Sequence, residues 1–360
     1  MRWGPVIACA LVAPARADIK PDPCACSPAK PGFFRRAQLT GDWNEHRKHL
    51  EDDGVILQAV YAGEVFAAAG LDKPVVVAGL FALTFDLELD KLVSDKLGQV
   101  HISAFAIHGN GLTAELMDIY GTSGNVASED ARLFEAWLEQ PIGPAAIRAG
   151  LLSADQEFNL ARHSTALLNA TFGITSQISY NLFGPVYPVA TPGASARLEL
   201  AHFSVRAALY DGTETNTHGI PTDLGPDELA IGELEVGKLV KLGAWHHTTR
   251  GNGGYVIVDH QLERYVGAFA RAGISPDQAV SQYVDAGLRI GPGPFRDHDF
   301  IGLGIAFARN ESGEHMGAQT VVEGTYQAQL GWLTVQPDFQ LLMLRDRTAA
   351  IFATRATVVF

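Results

Sequence analysis

From Val55 to Phe360 the chain alternates apolar and polar side chains with a period of two, the period of a β-strand with two unlike faces. In Gln99–His108, Val100, Ile102, Ala104 and Ala106 alternate with Gln99, His101 and Ser103. In Ser281–Ile290, Val284, Ala286, Leu288 and Ile290 alternate with Tyr283, Asp285, Gly287 and Arg289. Thr320–Trp332 sets Val322, Tyr326, Ala328, Leu330 and Trp332 against Glu323, Thr325, Gln327 and Gln329. The last segment sets Phe352, Ala356, Val358 and Phe360 against Arg355 and Thr357.

The pattern predicts about sixteen strands, starting near residues 55, 77, 99, 132, 145, 195, 203, 229, 238, 254, 265, 281, 299, 320, 333 and 350. Each runs about 8–12 residues, enough for a tilted strand to cross a bilayer. Long connections near 109–131, 153–194 and 211–228 contrast with tiny turns at Pro141-Ile142-Gly143-Pro144 and around Gly237. Outer-membrane barrels show this asymmetry, whereas a propeller would repeat every 40 to 50 residues or so. The predicted fold is all-β, a transmembrane antiparallel β-barrel over 55–360. Phe360 lies inside the last strand, which is expected to pair with the first, because an open edge would leave backbone groups unpaired. A short amphipathic helix is predicted over 41–54, with Asp42 as N-cap, Gly54 as stop and Trp43, Arg47 and Leu50 on one face.

Composition narrows the reading. The 360 residues are 47% hydrophobic, which excludes a disordered chain. A net charge of −13 argues against nucleic acid as a partner. No run approaches the roughly 18 apolar residues of a membrane helix. Residues 1–17 read as an export signal, with Arg2, an apolar core from Val6 to Ala13, and Ala15-Arg16-Ala17 before the cut. Its removal takes away Arg2 and Arg16, moving the charge from −13 to −15. Residues 18–40 read as a flexible Pro-rich leader, in which Cys24 and Cys26 are too close to bridge without strain.

If the apolar faces meet lipid, the polar ones meet a lumen. Asp86, Glu88, Glu135, Trp137, Glu139 and Arg148 are the candidate solute contacts, with Arg289 and Glu323 after them. Carboxylates, guanidinium groups and amides can hydrogen-bond sugar hydroxyls while an aromatic stacks on the ring. This mixture suits a neutral polar solute. A catalytic constellation is not evident. Glu135 and Glu139 share a strand face about 13 Å apart, beyond the roughly 5–9.5 Å of glycosidase carboxylates. His246-His247 points to opposite faces, and His46 and His49 have no further metal ligand beside them. No P-loop, nucleophile elbow or dinucleotide fingerprint occurs, so neither enzyme, metal nor cofactor is expected.

Several segments resemble the OprB-type carbohydrate-selective porins of Gram-negative outer membranes. Gly41-Asp42-Trp43-Asn44-Glu45-His46-Arg47 is similar to the family's opening helix, and Phe85-Asp86-Leu87-Glu88 and Phe134-Glu135-Ala136-Trp137-Leu138-Glu139-Gln140 to its early strands. Ile147-Arg148-Ala149-Gly150, Glu157-Phe158, Tyr187-Pro188 and Pro192-Gly193 resemble its long-loop region. Gly243-Ala244-Trp245-His246-His247-Thr248, Gly254-Tyr255, Gly291-Pro292 through Arg296-Asp297, and Pro337-Asp338-Phe339-Gln340 extend the likeness. The resemblance implies a sixteen-stranded barrel whose loops 109–131 and 153–194 fold inward, with passive uptake of small sugars into the periplasm. It implies outer-membrane lipid and lipopolysaccharide as surroundings, and Phe360 as the aromatic signal for barrel-assembly machinery. A homotrimer is a further expectation. The loops are short and thin in glycine and arginine compared with the family. A general diffusion porin and an exported soluble β-protein that binds polysaccharide therefore stay open.

Overall fold

The computed structural model describes residues 32–69, 71, 75–182, 184–213, 224–292, 296, 298–311 and 316–360. The export signal 1–17, the cysteines of the leader and the middle of the 211–228 connection lie outside the described residues. So do 293–295 and 297 of the Gly291–Asp297 motif.

Sixteen strands form one closed antiparallel barrel in sequence order. They are β1 Val55–Ala68, β2 Val75–Glu88, β3 Gln99–Gly109, β4 Asp130–Ile142, β5 Ala145–Leu152, β6 Thr191–Glu199, β7 Phe203–Asp211 and β8 Glu228–Val236. The second half comprises β9 Val240–His247, β10 Gly251–Glu263, β11 Val266–Ile274, β12 Val280–Ile290, β13 Phe300–Asn310, β14 Gly317–Leu330, β15 Leu333–Met343 and β16 Thr348–Val359. The alternation decides which face goes where. On β13, Leu303, Ile305 and Phe307 are exposed on the outer wall, while Phe300, Ala306 and Ala308 are buried inside. Strand pairing then satisfies the backbone where lipid cannot. The barrel closes as expected, with β1 against β16 at Val60↔Val359 and the Phe360 amide donating to Ala59 O at 2.9 Å.

One end of the barrel carries tight turns. Gly237 and Lys238 have φ of 62° and 55°, and Leu239 N donates to Val236 O at 3.1 Å. This pair of left-handed residues matches the twist of a two-residue hairpin. The other end carries the long connections 110–129 and 153–190. The N-terminal helix is shorter than the spacing predicts. It is α1, His46–Asp52, and ends before Gly54, whose φ is 92°. Trp43, Asn44 and Glu45 are left-handed, and Asp42 makes no side-chain cap. Tertiary contacts set this shape: Arg47 Nη1 donates to Phe360 O (2.8 Å), Nη2 donates to Thr40 Oγ1 (3.0 Å), and the guanidinium lies 4.2 Å from the Trp43 ring centroid. Residues 33–40, expected to belong to a flexible leader, lie along the tight-turn rim instead. Leu39 N donates to Val359 O at 2.7 Å and Trp332 Nε1 to Phe33 O at 3.1 Å.

Both long connections fold into the barrel. Segment 110–129 is held where Ser123 and Asn125 donate to Glu64 Oε1 (2.9 and 3.2 Å), which also meets Arg355 Nε at 2.5 Å. Segment 153–190 runs across β8–β15. Asn159 N donates to Glu233, and the amides of Leu168 and Asn169 both donate to Glu323 (2.5 and 3.0 Å). The backbone nitrogen and ring of His163 both meet Asp259. The wall under this segment is smooth. A Cβ on Gly267 would lie 1.9 Å from the His163 ring, and one on Gly304 would lie 2.5 Å from Leu167, so glycine is required for this close approach.

Candidate functional site

With 153–190 pressed against one side, the inner face of β2–β7 carries a connected polar ladder. It begins at Asp86 of β2, which accepts from Gln99 (3.0 Å) and lies 2.7 Å from His101 Nδ1. Direct pairing of His101 with Trp137 across β3 and β4 stacks the two rings, 4.7 Å apart and 14° from parallel. From β5 on the other side, Arg148 places its guanidinium 3.8 Å from the Trp137 ring centroid. Because β3 and β5 flank β4 on opposite sides, the indole is sandwiched between imidazole and guanidinium.

The ladder continues through charge. Arg148 donates to Glu139 through Nε (3.2 Å) and Nη2 (2.8 Å), and meets Glu157 through Nη1 at 2.9 Å. Arg197 grips the same Glu139 with two bonds, 2.6 and 2.7 Å, the fork geometry in which guanidinium is strongest. Glu157 also accepts from Ser195 (3.1 Å) and receives Tyr210 OH at 3.5 Å. Glu135 accepts from Ser153 N (2.9 Å) and lies 3.9 Å from His101 Nε2. A β-bulge at Phe134 lets both Phe134 and Glu135 face inward, and keeps Glu135, Trp137 and Glu139 on one face.

Asp86, Glu135, Trp137, Glu139 and Arg148, the candidate solute contacts, thus lie together on this inner face. The other three lie apart. Glu88 ends β2 at the tight-turn rim and is paired with Lys91. Arg289 stands on the opposite wall, 4.4 Å from the Phe300 ring centroid. Glu323 is buried under the loop amides of Leu168 and Asn169, so it anchors the loop and does not face the open lumen. Trp137 differs in role from the expectation that its ring would stack on solute: both faces are already covered, and it offers the lumen an edge. Its Nε1 has no hydrogen-bond partner among the described residues.

His101, Glu157 and Tyr210 were missed as site residues. His101 was visible only as one polar member of the β3 alternation. Glu157 sits in the loop, where no periodicity marks a direction. Behind the ladder, burial pushes the loop carboxyl of Asp155 above the usual carboxylate range, despite the Ser153 hydroxyl at 2.6 Å. Asp118 in the other loop is raised by burial too, with the amides of Tyr120 and Gly121 partly opposing the rise. His247 is turned inward onto Gly212 O and His246 outward onto Asn252, as their adjacency requires. Among the described residues no group of three or more His, Cys, Asp or Glu could hold a metal ion.

The family model described as "Carbohydrate-selective porin, OprB family" matches residues 75–239 and 238–360. Among solved structures, the high-pH form of Pseudomonas putida OprB is 17% identical, covering 91% of this chain and 99% of its own, with a TM-score of 0.81. The low-pH form of that protein has the same identity and coverage and a TM-score of 0.63. A triple mutant of the Rhodopseudomonas blastica porin is 10% identical, covering 85% of this chain and 100% of its own, with a TM-score of 0.51. At these identities the structural likeness shows the fold. A sequence comparison with curated proteins found no match. The family model spans far more than half of the chain, and the chain belongs to the carbohydrate-selective porin, OprB family.

Proposed function

We propose that sugars cross this outer-membrane porin passively along the β2–β7 ladder, with Glu139 and Arg148 supplying the hydroxyl contacts, the buried Asp86 and Glu135 holding His101, and Trp137 holding Arg148 in place. The observation that carries this reading is the sharing of Glu139 between Arg148 and Arg197. Each guanidinium is neutralised by a carboxylate, and Arg148 keeps N–H groups to spare. Arg148 spends one hydrogen each from Nε, Nη1 and Nη2 on Glu139 and Glu157, leaving one on each Nη. Donors and acceptors alternating along a wall, with each guanidinium charge compensated, favour a neutral polyol over an anion. The contacts remain weak enough for solute to leave.

The same reading places lipid and lipopolysaccharide around the outer belt of Leu303, Ile305 and Phe352. It gives Phe360, at the closing seam, to the barrel-assembly machinery, and leaves room for a homotrimer on the apolar wall. The test is planar-bilayer conductance with glucose, maltose and a charged control. Concentration-dependent block by a sugar is expected. Equal passage of sugars and amino acids of similar size, without block, would make the protein a general diffusion porin.

A further inference from the structure

The inward cations of the strands are nearly all held by carboxylates. Arg148, Arg197, Arg271 and Arg355 are paired with Glu139, Glu139, Asp285 and Glu64. Arg132, Arg206 and Lys241 likewise have Asp130, Glu199 and Glu233 at 3.3, 3.9 and 3.7 Å. Arg289 is the exception. Among the described residues it has neither a hydrogen bond nor an ion pair, and its one contact of note is the Phe300 ring, 4.4 Å from the guanidinium carbon.

It is half-buried, and part of its side chain stays open to the lumen. Arg289 is the next-to-last residue of β12, close to the tight-turn mouth that faces the periplasm in such barrels. It stands between Gly267 on β11 and Gly302 on β13, where the inward loop fills the space the missing side chains leave, His163 over the first and Ala166 and Leu167 over the second. Opposite Phe300 and Gly302 are the uncharged Gln327 and Thr325. The site is therefore a positive charge on an aromatic base, with no acceptor for its N–H groups among the described residues and an amide and a hydroxyl two strands away. That chemistry fits a planar carboxylate gripped by a guanidinium fork, with polar groups farther along the wall for a polyol.

We propose that Arg289 on Phe300 forms a second subsite, toward the periplasmic mouth, that takes sugars bearing a carboxylate and extends the channel's solutes to sugar acids. The inference rests on the lumen being the solute path. The ladder cannot supply this function, since its guanidinium groups are each occupied by glutamate. A carboxylate crossing an otherwise acidic lumen meets here the one inward strand cation that has no carboxylate partner among the described residues.

The test uses the mature barrel reconstituted in liposomes, with swelling rates measured in glucose and in sodium gluconate for wild type, Arg289→Gln and Arg289→Lys. Heat-modifiable gel migration confirms that each variant is folded. Wild type is expected to admit gluconate. Arg289→Gln should lower the gluconate rate roughly tenfold, as loss of a charge-assisted bond implies, and leave glucose unchanged. Arg289→Lys should fall between. A wild type impermeable to gluconate, a gluconate rate unaffected by Arg289→Gln, or an equal fall for both solutes overturns the proposal. Glucose block of wild-type conductance is read separately. Its absence would bring down the ladder reading whatever gluconate does.

Discussion

Replacing Arg148 by alanine tests the ladder most directly. The fold should survive. Glu139 keeps both bonds to Arg197, and Glu157 keeps Ser195 and Tyr210. The loss of stability should therefore stay below the about 3–5 kcal/mol of a buried pair stripped of one partner. The solute loses the two free N–H groups on the Nη atoms. A hydrogen bond to a charged group contributes about 1.5–3 kcal/mol, so losing a single one weakens binding roughly 10- to 150-fold. The assay is single-channel conductance titrated with glucose and with maltose. Arg148→Ala should raise the half-blocking concentration by that factor and make the pore more cation-selective, because one positive charge is removed from an acidic lumen. Arg148→Lys keeps the charge but not the fork, and should lie between the two. Unchanged half-blocking concentrations in Arg148→Ala, with an intact barrel, would refute the assignment of the ladder as the solute contact.

Trp137→Leu keeps every charge of the ladder but removes the ring under Arg148. A cation–π contact contributes about 0.5–2 kcal/mol, so sugar block should weaken roughly 2- to 30-fold, with the ion selectivity of wild type retained in reversal-potential measurements. Arg271 is fully buried with Asp285, and it donates to the backbone carbonyls of Asn159, Thr171 and Gly173 in the inward loop. Arg271→Met should lower barrel stability by about 3–5 kcal/mol in denaturant titrations and release the loop, seen as larger, noisier conductance. Arg271→Met with Asp285→Leu should recover part of that loss. The pH dependence of the loops has a definite sign. Burial raises the Asp118 and Asp155 carboxyls, so the folded loops bind a proton more tightly than the unfolded chain. Their contribution to stability is present at low pH and lost as pH rises through the raised values. Hydrogen-exchange protection of 110–129 and 153–190 should increase as pH is lowered from neutrality toward the ordinary carboxylate range, and Asp118→Asn with Asp155→Asn should flatten that change.

What the sequence disclosed of the site follows from how far apart its partners lie along the chain. The strands were legible because one face of each meets lipid, which forces the period of two. The β4–β5 pairing was legible as well: Gly143-Pro144 is so short a turn that Ile142 must face Ala145, and the same register sets Glu139 beside Arg148. The pairing of His101 with Trp137 was not, because twenty loop residues intervene and the bulge at Phe134 shifts the register by one. Inward charges gave no sign of their duty. Glu139 is shared by two guanidinium groups on the open wall and Glu323 holds a loop, yet both are single carboxylates on the polar face of an alternating strand. The difference lies in a contact between Leu168 and Glu323, 155 positions apart in sequence. Only the path of 153–190 across the lumen decides which wall is covered. That path is set by glycines such as Gly267 and Gly304, whose missing side chains leave the space the loop occupies. Charge alone is therefore least informative where the wall is glycine, since a bare stretch of strand marks the place where a loop comes down on it.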